Sequence, residues 1–265
     1  MKFACLSDLH NDLRVVTKLF ELEFDAILIA GDLTNFGTSK ELKTILKALD
    51  FGKPVIFIAG NHDFGVTGEK FKKFLEPKKN FHFLKNSYVT INGIKIYGMP
   101  QSLIFKNWAF MIKEKEFEKY LPKEHADILL FHQPPAGVGL ATVESAFGEY
   151  DAGSEAIRAF LESSTAKYCI TGHIHEHEGK TATIGSVKII NAGTKNIKKV
   201  LPKRTVLIVG EAGIGKTVLV ENMKGKRIGY TKNSPIIDEV IILRLGAMSS
   251  EDFMIPFVKE REILK

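Results

Sequence analysis

The chain has 265 residues, 45% hydrophobic and 26% charged, which is long enough to bury a full core and ordinary for a soluble globular protein. No apolar run reaches membrane-span length, and Met1-Lys2-Phe3 opens no signal-peptide core, so a cytoplasmic protein is expected. The net charge of +6 is uneven: between Lys195 and Lys232 ten Lys/Arg stand against two Glu, leaving the rest at −2. That segment reads first as a solvated lysine-rich face and second as a surface for nucleic acid or phosphorylated ligands.

Up to about residue 80 the order is strand, helix, strand, helix, strand, helix. Residues 11–22 show helical apolar spacing through Leu13, Val16, Leu19 and Phe20. Thr38-Ser39-Lys40-Glu41 reads as a capping box opening a helix over residues 40–49, and residues 67–75 form a third helix. This alternation predicts βαβ units and a parallel sheet. The pattern then changes. Asn92-Gly93 joins two alternating runs, 88–91 and 94–97, as a type I′ hairpin, and Gly185-Ser186 joins a second pair, 181–184 and 187–190. Residues 102–122 read as a helix-like, aromatic-rich insert, and residues 154–161 as another helix. Cys5 and Cys169 fall within apolar runs, where free thiols pack as small hydrophobes.

Five apolar runs end in residues that hold metals. Residues 3–7 lead to Asp8 and His10, and residues 26–30 lead to Gly31-Asp32. Residues 55–59 lead to Gly60-Asn61-His62-Asp63, residues 128–131 to His132, and residues 168–171 to Gly172-His173-Ile174-His175. In α/β sheets, sites form outside the carboxyl ends of the strands. Carboxylate, imidazole and amide oxygen without thiolate suit Mn, Fe, Zn, Ni or Co. Asp32 has two oxygens with which to bridge. The set Asp8, His10, Asp32, Asn61, His132, His173 and His175 therefore suffices for two ions sharing one ligand.

These blocks, in this order and each after an apolar run, resemble the signature of the calcineurin-like metallophosphoesterase family, in its small single-domain branch. The resemblance spans residues 1 to about 195. It implies an α/β fold, a four-layer α-β-β-α sandwich of two mixed sheets. It also implies that Asp8, His10 and His175 hold one divalent ion, Asn61, His132 and His173 a second, and Asp32 both. Mn is the first choice of metal, with Fe, Zn, Ni, Co or Mg as others. The implied reaction is hydrolysis of a phosphodiester or phosphomonoester by in-line attack of a metal-bound hydroxide. His62 would contact the phosphate and protonate the leaving oxygen, with Asp63 orienting it. Trp108 and Phe105 either stack on a base or an aromatic leaving group, or simply pack the insert.

The sequence divides near residue 200 into a phosphoesterase domain, 1–200, and a basic, strand-rich extension, 201–265. The extension contains Gly210-Glu211-Ala212-Gly213-Ile214-Gly215-Lys216-Thr217, which matches the P-loop pattern after a predicted strand. There Lys216 would meet phosphates and Thr217 a Mg²⁺. The 48 residues that follow are too few for an NTPase core. Three functions follow in order: a dinuclear-metal phosphoesterase, a metal-dependent nuclease using the basic 195–232 segment, and a nucleotide-binding regulatory module through residues 210–217. Substrate identity and oligomeric state are not encoded in these motifs.

Overall fold

The computed structural model describes residues 1–146 and 148–194. The basic segment from 195 onward, with the P-loop-like residues Lys216 and Thr217, lies outside the described residues. The first half alternates strand and helix: β1 (Phe3–Leu6), α1 (Leu13–Lys18), β2 (Ala26–Ala30), α2 (Ser39–Ala48), β3 (Val55–Ile58), α3 (Glu69–Leu75) and β4 (Phe81–Phe83). These four strands form one sheet in the order β1-β2-β3-β4, every pair parallel. At the start of α2 both halves of the capping box are made. Thr38 Oγ1 accepts from Glu41 N, and the Glu41 carboxylate accepts from Thr38 N at 3.0 Å. Helix α1 is shorter than its apolar spacing suggests, because its last turn tightens into a 3-10 turn at Leu19–Glu21.

The second half contributes β5 (Ser87–Ile91), β6 (Ile94–Met99), β7 (Ser102–Leu103), β8 (Met111–Ile112), β9 (Ile128–Phe131), β10 (Thr142–Ser145), β11 (Gly148–Asp151), α4 (Glu155–Ser163), β12 (Tyr168–Thr171), β13 (Thr181–Ile184) and β14 (Val187–Asn191). Six of them make a mixed sheet, β13-β14-β12-β9-β6-β5. Its hairpins β5–β6 and β13–β14 are antiparallel, while β6, β9, β12 and β14 run parallel. In the first hairpin Asn92 and Gly93 both take positive φ, 49° and 80°, as a type I′ turn requires. The mixed sheet is thus one of the two; the first is wholly parallel. The 102–122 insert is not helical but holds the short β7–β8 pair and a 3-10 turn, Glu114–Lys119.

Alternation along each strand builds the layers. In β2, Ile27 and Ile29 face the cluster under α1, α2 and α3, while Ala26, Leu28 and Ala30 face the other sheet. In β9, Leu129 and Phe131 face the cluster containing Ile157 and Leu161 of α4, while Ile128 and Leu130 face inward. The two inner faces meet in one apolar cluster that includes Leu28, Ile56, Ile58, Ile96, Leu130 and Ile170. The sheets come close at Gly98, where an added Cβ would lie under 3 Å from Leu84 and Ile58. The result is a helix-sheet-sheet-helix sandwich with the carboxyl ends of β1, β2, β3, β9 and β12 gathered at one edge.

Candidate metal centre

The chain turns sharply at that edge. Asp8, His10, Asp32 and His173 take left-handed φ of 55°, 44°, 51° and 69°, which non-glycine residues adopt only where their surroundings hold them. Hydrogen bonds do the holding. The loop after β1 lies along the loop after β2: Asp8 N donates to Gly31 O at 3.0 Å, His10 N to Asp32 O at 3.0 Å and Asn11 N to Leu33 O at 2.9 Å. His173 N donates to both Asp8 carboxylate oxygens at 3.1 Å, tying the two sheets together. Thr194 Oγ1 donates to Asp8 O at 3.1 Å.

Three of the strand-end candidates, Asp32, Asn61 and His173, follow a glycine, and each glycine has a local cause. A Cβ on Gly31 would lie 2.6 Å from His132 Nδ1. On Gly60 it would lie under 3 Å from Asp32 Oδ1, and on Gly172 under 3 Å from Asp8 Oδ2 and Ser7 Oγ. Each glycine therefore makes room for a candidate ligand from another strand, and at Gly31 and Gly172 that strand belongs to the opposite sheet.

Three donor groups form, the ligand atoms within each lying inside 4.8 Å of one another: Asp8, His10 and His175; His10, Asp32 and His62; and Asp32, His132 and His173. Asp32 belongs to two groups. His132 Nε2 lies 3.6 Å and His10 Nε2 3.9 Å from Asp32 Oδ2. Asn61 Oδ1 lies 3.1 Å from His132 Nε2, which adds a neutral oxygen to the His132 side. On the other side His10 Nε2 and His175 Nε2 lie 3.4 Å apart, and His175 Nε2 lies 3.5 Å from Asp8 Oδ1. Backbone carbonyls fix the tautomers. His132 Nδ1 donates to Ala30 O at 2.7 Å, His10 Nδ1 to Thr34 O at 3.2 Å and His62 Nδ1 to Asn35 O at 2.8 Å. Nε2 is thereby the ring nitrogen that each leaves facing the centre.

The charges of the cluster act strongly on one another. Burial pushes the Asp32 carboxyl up, but the His132 charge and hydrogen bond, with His62 and His10, outweigh it and keep Asp32 well below the usual carboxylate range. Burial pushes His132 down, and Asp32 overcomes this and raises it to about 9. Burial, aided by the His132 charge, lowers His173 to about 3, and burial also lowers His10. A buried carboxylate flanked by inward-aimed imidazoles, two of which burial keeps from taking protons, is a donor set that fits divalent cations.

The structure brings all seven sequence-derived ligand candidates and His62 to one place. His62 N donates to Asp32 Oδ1 at 2.8 Å, and its Nε2 lies 3.9 Å from Asp32 Oδ2. Its ring meets Trp108 with centroids 3.9 Å apart at 72°. Asp63 does not orient His62, contrary to expectation. Its two oxygens accept from Leu33 N, Thr34 N, Thr34 Oγ1 and Gly60 N at 2.7–3.1 Å. It clamps the Asp32 loop to the Asn61 loop, and the Asn35 carbonyl and Trp108 position His62 instead. Burial and the Asp32 charge push the Asp63 carboxyl up to about 7 against the pull of those hydrogen bonds. Sequence reasoning missed Glu178. It is buried, with Oε1 3.7 Å from His175 Nδ1, a carboxylate behind a ligand imidazole. Its only sequence signal is a spacing of three from His175 across a 3-10 turn, His175–His177.

A family model described as calcineurin-like phosphoesterase matches residues 1–177, which include every candidate ligand. A UPF0046 protein of Caenorhabditis elegans is 29% identical over 225 residues, covering 72% of this chain and 55% of the relative. Human metallophosphoesterase domain-containing protein 1 is 29% identical over 232 residues, covering 76% of this chain and 69% of the relative. The chain thus spans about half to two thirds of the length of these relatives. The crystal structure of TT1561 from Thermus thermophilus shares the fold, with a TM-score of 0.57 at 16% identity over 72% of this chain and 88% of that one. The apolar runs, the sandwich they build and the donors at its edge all lie within the matched residues: the chain belongs to the calcineurin-like phosphoesterase family.

Proposed function

We propose that the chain hydrolyses phosphate mono- or diesters with two divalent ions, Mn²⁺ first among them. Asp8, His10 and His175 would hold one ion, Asn61, His132 and His173 the other, and Asp32 both. The observation that carries this reading is the buried Asp32 carboxylate shared between two imidazole-bearing donor groups. When bound, the pair supplies positive charge that polarises the phosphoryl oxygens and makes a water acidic enough to act as nucleophile near neutral pH.

The chain's own residues do the rest. Asp8 and Asp32 are buried and ionised, so they supply the negative charge that favours cations there. His62, its Nδ1–H spent on Asn35 O, points Nε2 at the centre; when protonated there it donates to the leaving oxygen. Phosphorus gains a bond to the water oxygen, whose proton passes to solvent, which in turn restores the proton that His62 gives up, and loses its bond to the leaving oxygen. That oxygen keeps the electron pair and takes the proton from His62.

The test is metal content together with turnover. Purified protein should carry close to two divalent ions, lose activity on p-nitrophenyl phosphate or its bis-ester after chelation, and regain it with Mn²⁺. Asp32→Asn should lose at least one ion and roughly 100-fold or more in kcat, in line with removal of a charge from the catalytic centre. An Asp32→Asn protein with full metal content and full activity would overturn the bridging role.

A further inference from the structure

Residues 104–109 run beside the candidate metal centre, and both ends of this stretch are fastened to segments that carry candidate ligands. Leu103 N donates to the Gln133 side-chain oxygen at 2.9 Å, next to His132, and Ala109 N donates to Asn61 O at 3.1 Å. Between these anchors two aromatic rings lean on imidazoles of the centre that come from different sheets. The Phe105 ring centroid lies 5.8 Å from that of His173, and Trp108 lies 3.9 Å from His62. Phe64 stands beyond Trp108 at 6.3 Å.

Trp108 is half-buried, and the rings and side chain around it are exposed. Phe105 is 56% and Phe64 49% exposed, and neighbouring Ile104 is 53% exposed. Grouped apolar side chains left in water beside polar groups are what a binding surface looks like. The stretch carries one cation, Lys106, and no carboxylate. Its position also settles which part of a substrate would meet it. The proton donor proposed for the leaving oxygen is His62, and Trp108 touches that imidazole, so whatever departs with the protonated oxygen departs against Trp108.

We propose that Trp108, with Phe64 and Phe105, forms the leaving-group subsite, and that it selects phosphoesters whose leaving group carries a planar aromatic ring, as a nucleoside does. A flat neutral ring stacks on an indole irrespective of base identity and covers the exposed apolar area, whereas an alkyl or sugar group leaves it wet. This deepens the hydrolase reading and rests on the placement of His62 given there.

Trp108 is the single tryptophan of the chain, so its fluorescence reports the subsite without turnover. The full chain is titrated with adenosine 5′-monophosphate, ribose 5-phosphate and inorganic phosphate, both chelator-treated and metal-loaded. Saturable quenching by the nucleotide, with none from the other two, is expected. The second arm compares kcat/KM for phenyl phosphate with that for ethyl phosphate. Their ratio in the wild type, divided by the ratio in Trp108→Leu, cancels the difference in intrinsic reactivity. We expect the variant to lose about tenfold of the ring preference, and Trp108→Phe to keep most of it. Phe105→Ser gives the same readout should Trp108→Leu fail to fold, as judged by circular dichroism. Equal loss on both esters, or identical fluorescence responses to nucleotide and ribose phosphate, overturns the subsite and leaves hydrolysis untouched. Ring-dependent quenching in a protein without esterase activity would remove the hydrolase reading and the leaving-group role with it, leaving a site that binds aromatic rings.

Discussion

At the scale of single residues, the glycines carry as much of the site as the ligands do. Gly60 precedes Asn61, but its own backbone lies against Asp32, and a methyl group there would occupy the space of Asp32 Oδ1. The carboxylate cannot swing aside easily, because His62 N holds the same oxygen at 2.8 Å. Gly60→Ala should therefore displace Asp32, the proposed shared ligand, and lower both metal occupancy and turnover by at least tenfold, with a stability loss of about 1–3 kcal/mol from overpacking. Gly93→Ala provides the contrast: nothing lies within 4 Å of its added Cβ, although its φ of 80° strains the turn. It should cost stability without changing metal content. Elemental analysis and thermal unfolding of the two variants separate the effects, and full metal occupancy in Gly60→Ala would show that Asp32 tolerates the crowding.

At the scale of elements, loops are positioned by partners remote in sequence. Asp63 gathers four hydrogen bonds from residues 33, 34 and 60, and so locks the end of β2 to the end of β3. Asp63→Ala would leave buried donors unsatisfied and should destabilise the fold by roughly 3–5 kcal/mol while also weakening metal binding. Thr38→Ala removes only the cap of α2 and should cost about 1 kcal/mol with metal binding intact. Denaturant unfolding and metal titration on both variants check this, and Asp63→Ala with wild-type metal affinity would contradict the clamp. The same contrast explains what could be read in advance. Strand ends were legible because each apolar run is short, bounded by glycine or a polar donor, and read locally. The capping box Thr38–Glu41 was legible for the same reason. The role of Asp63 was not, since three of its four donors lie about 30 residues away. The 102–122 insert was misread because its aromatic spacing has two sources. Phe117 is buried in the core beside α4, while Phe105 and Trp108 turn to the metal centre. Two surfaces interleaved in one stretch imitate one helical face.

At the scale of the whole molecule, the candidate centre lies where the two sheets meet, and its donors come from both. Asp8, His10, Asp32 and Asn61 come from the first sheet, and His132, His173 and His175 from the second. A cation held by donors from both is a cross-link present only in the folded state, so it should raise thermal stability by mass action. At a hundredfold excess over its Kd each ion contributes about 2.7 kcal/mol, which for a domain of this size shifts the midpoint by roughly 5–10 °C. The last described element is β14, after which Gly193 bridges Ser7 and Thr194 reaches Asp8. Among the described residues, the candidate donors and the contacts that hold them end at Thr194. We propose that residues 1–200 form the metal-binding domain, and a chain cut after residue 200 should unfold cooperatively and show the same Mn²⁺-dependent rise as the full chain, reversed by chelator. Calorimetry of the two chains decides the matter. A shortened chain that folds but loses the metal-dependent rise would mean that residues beyond 200 help to build the centre.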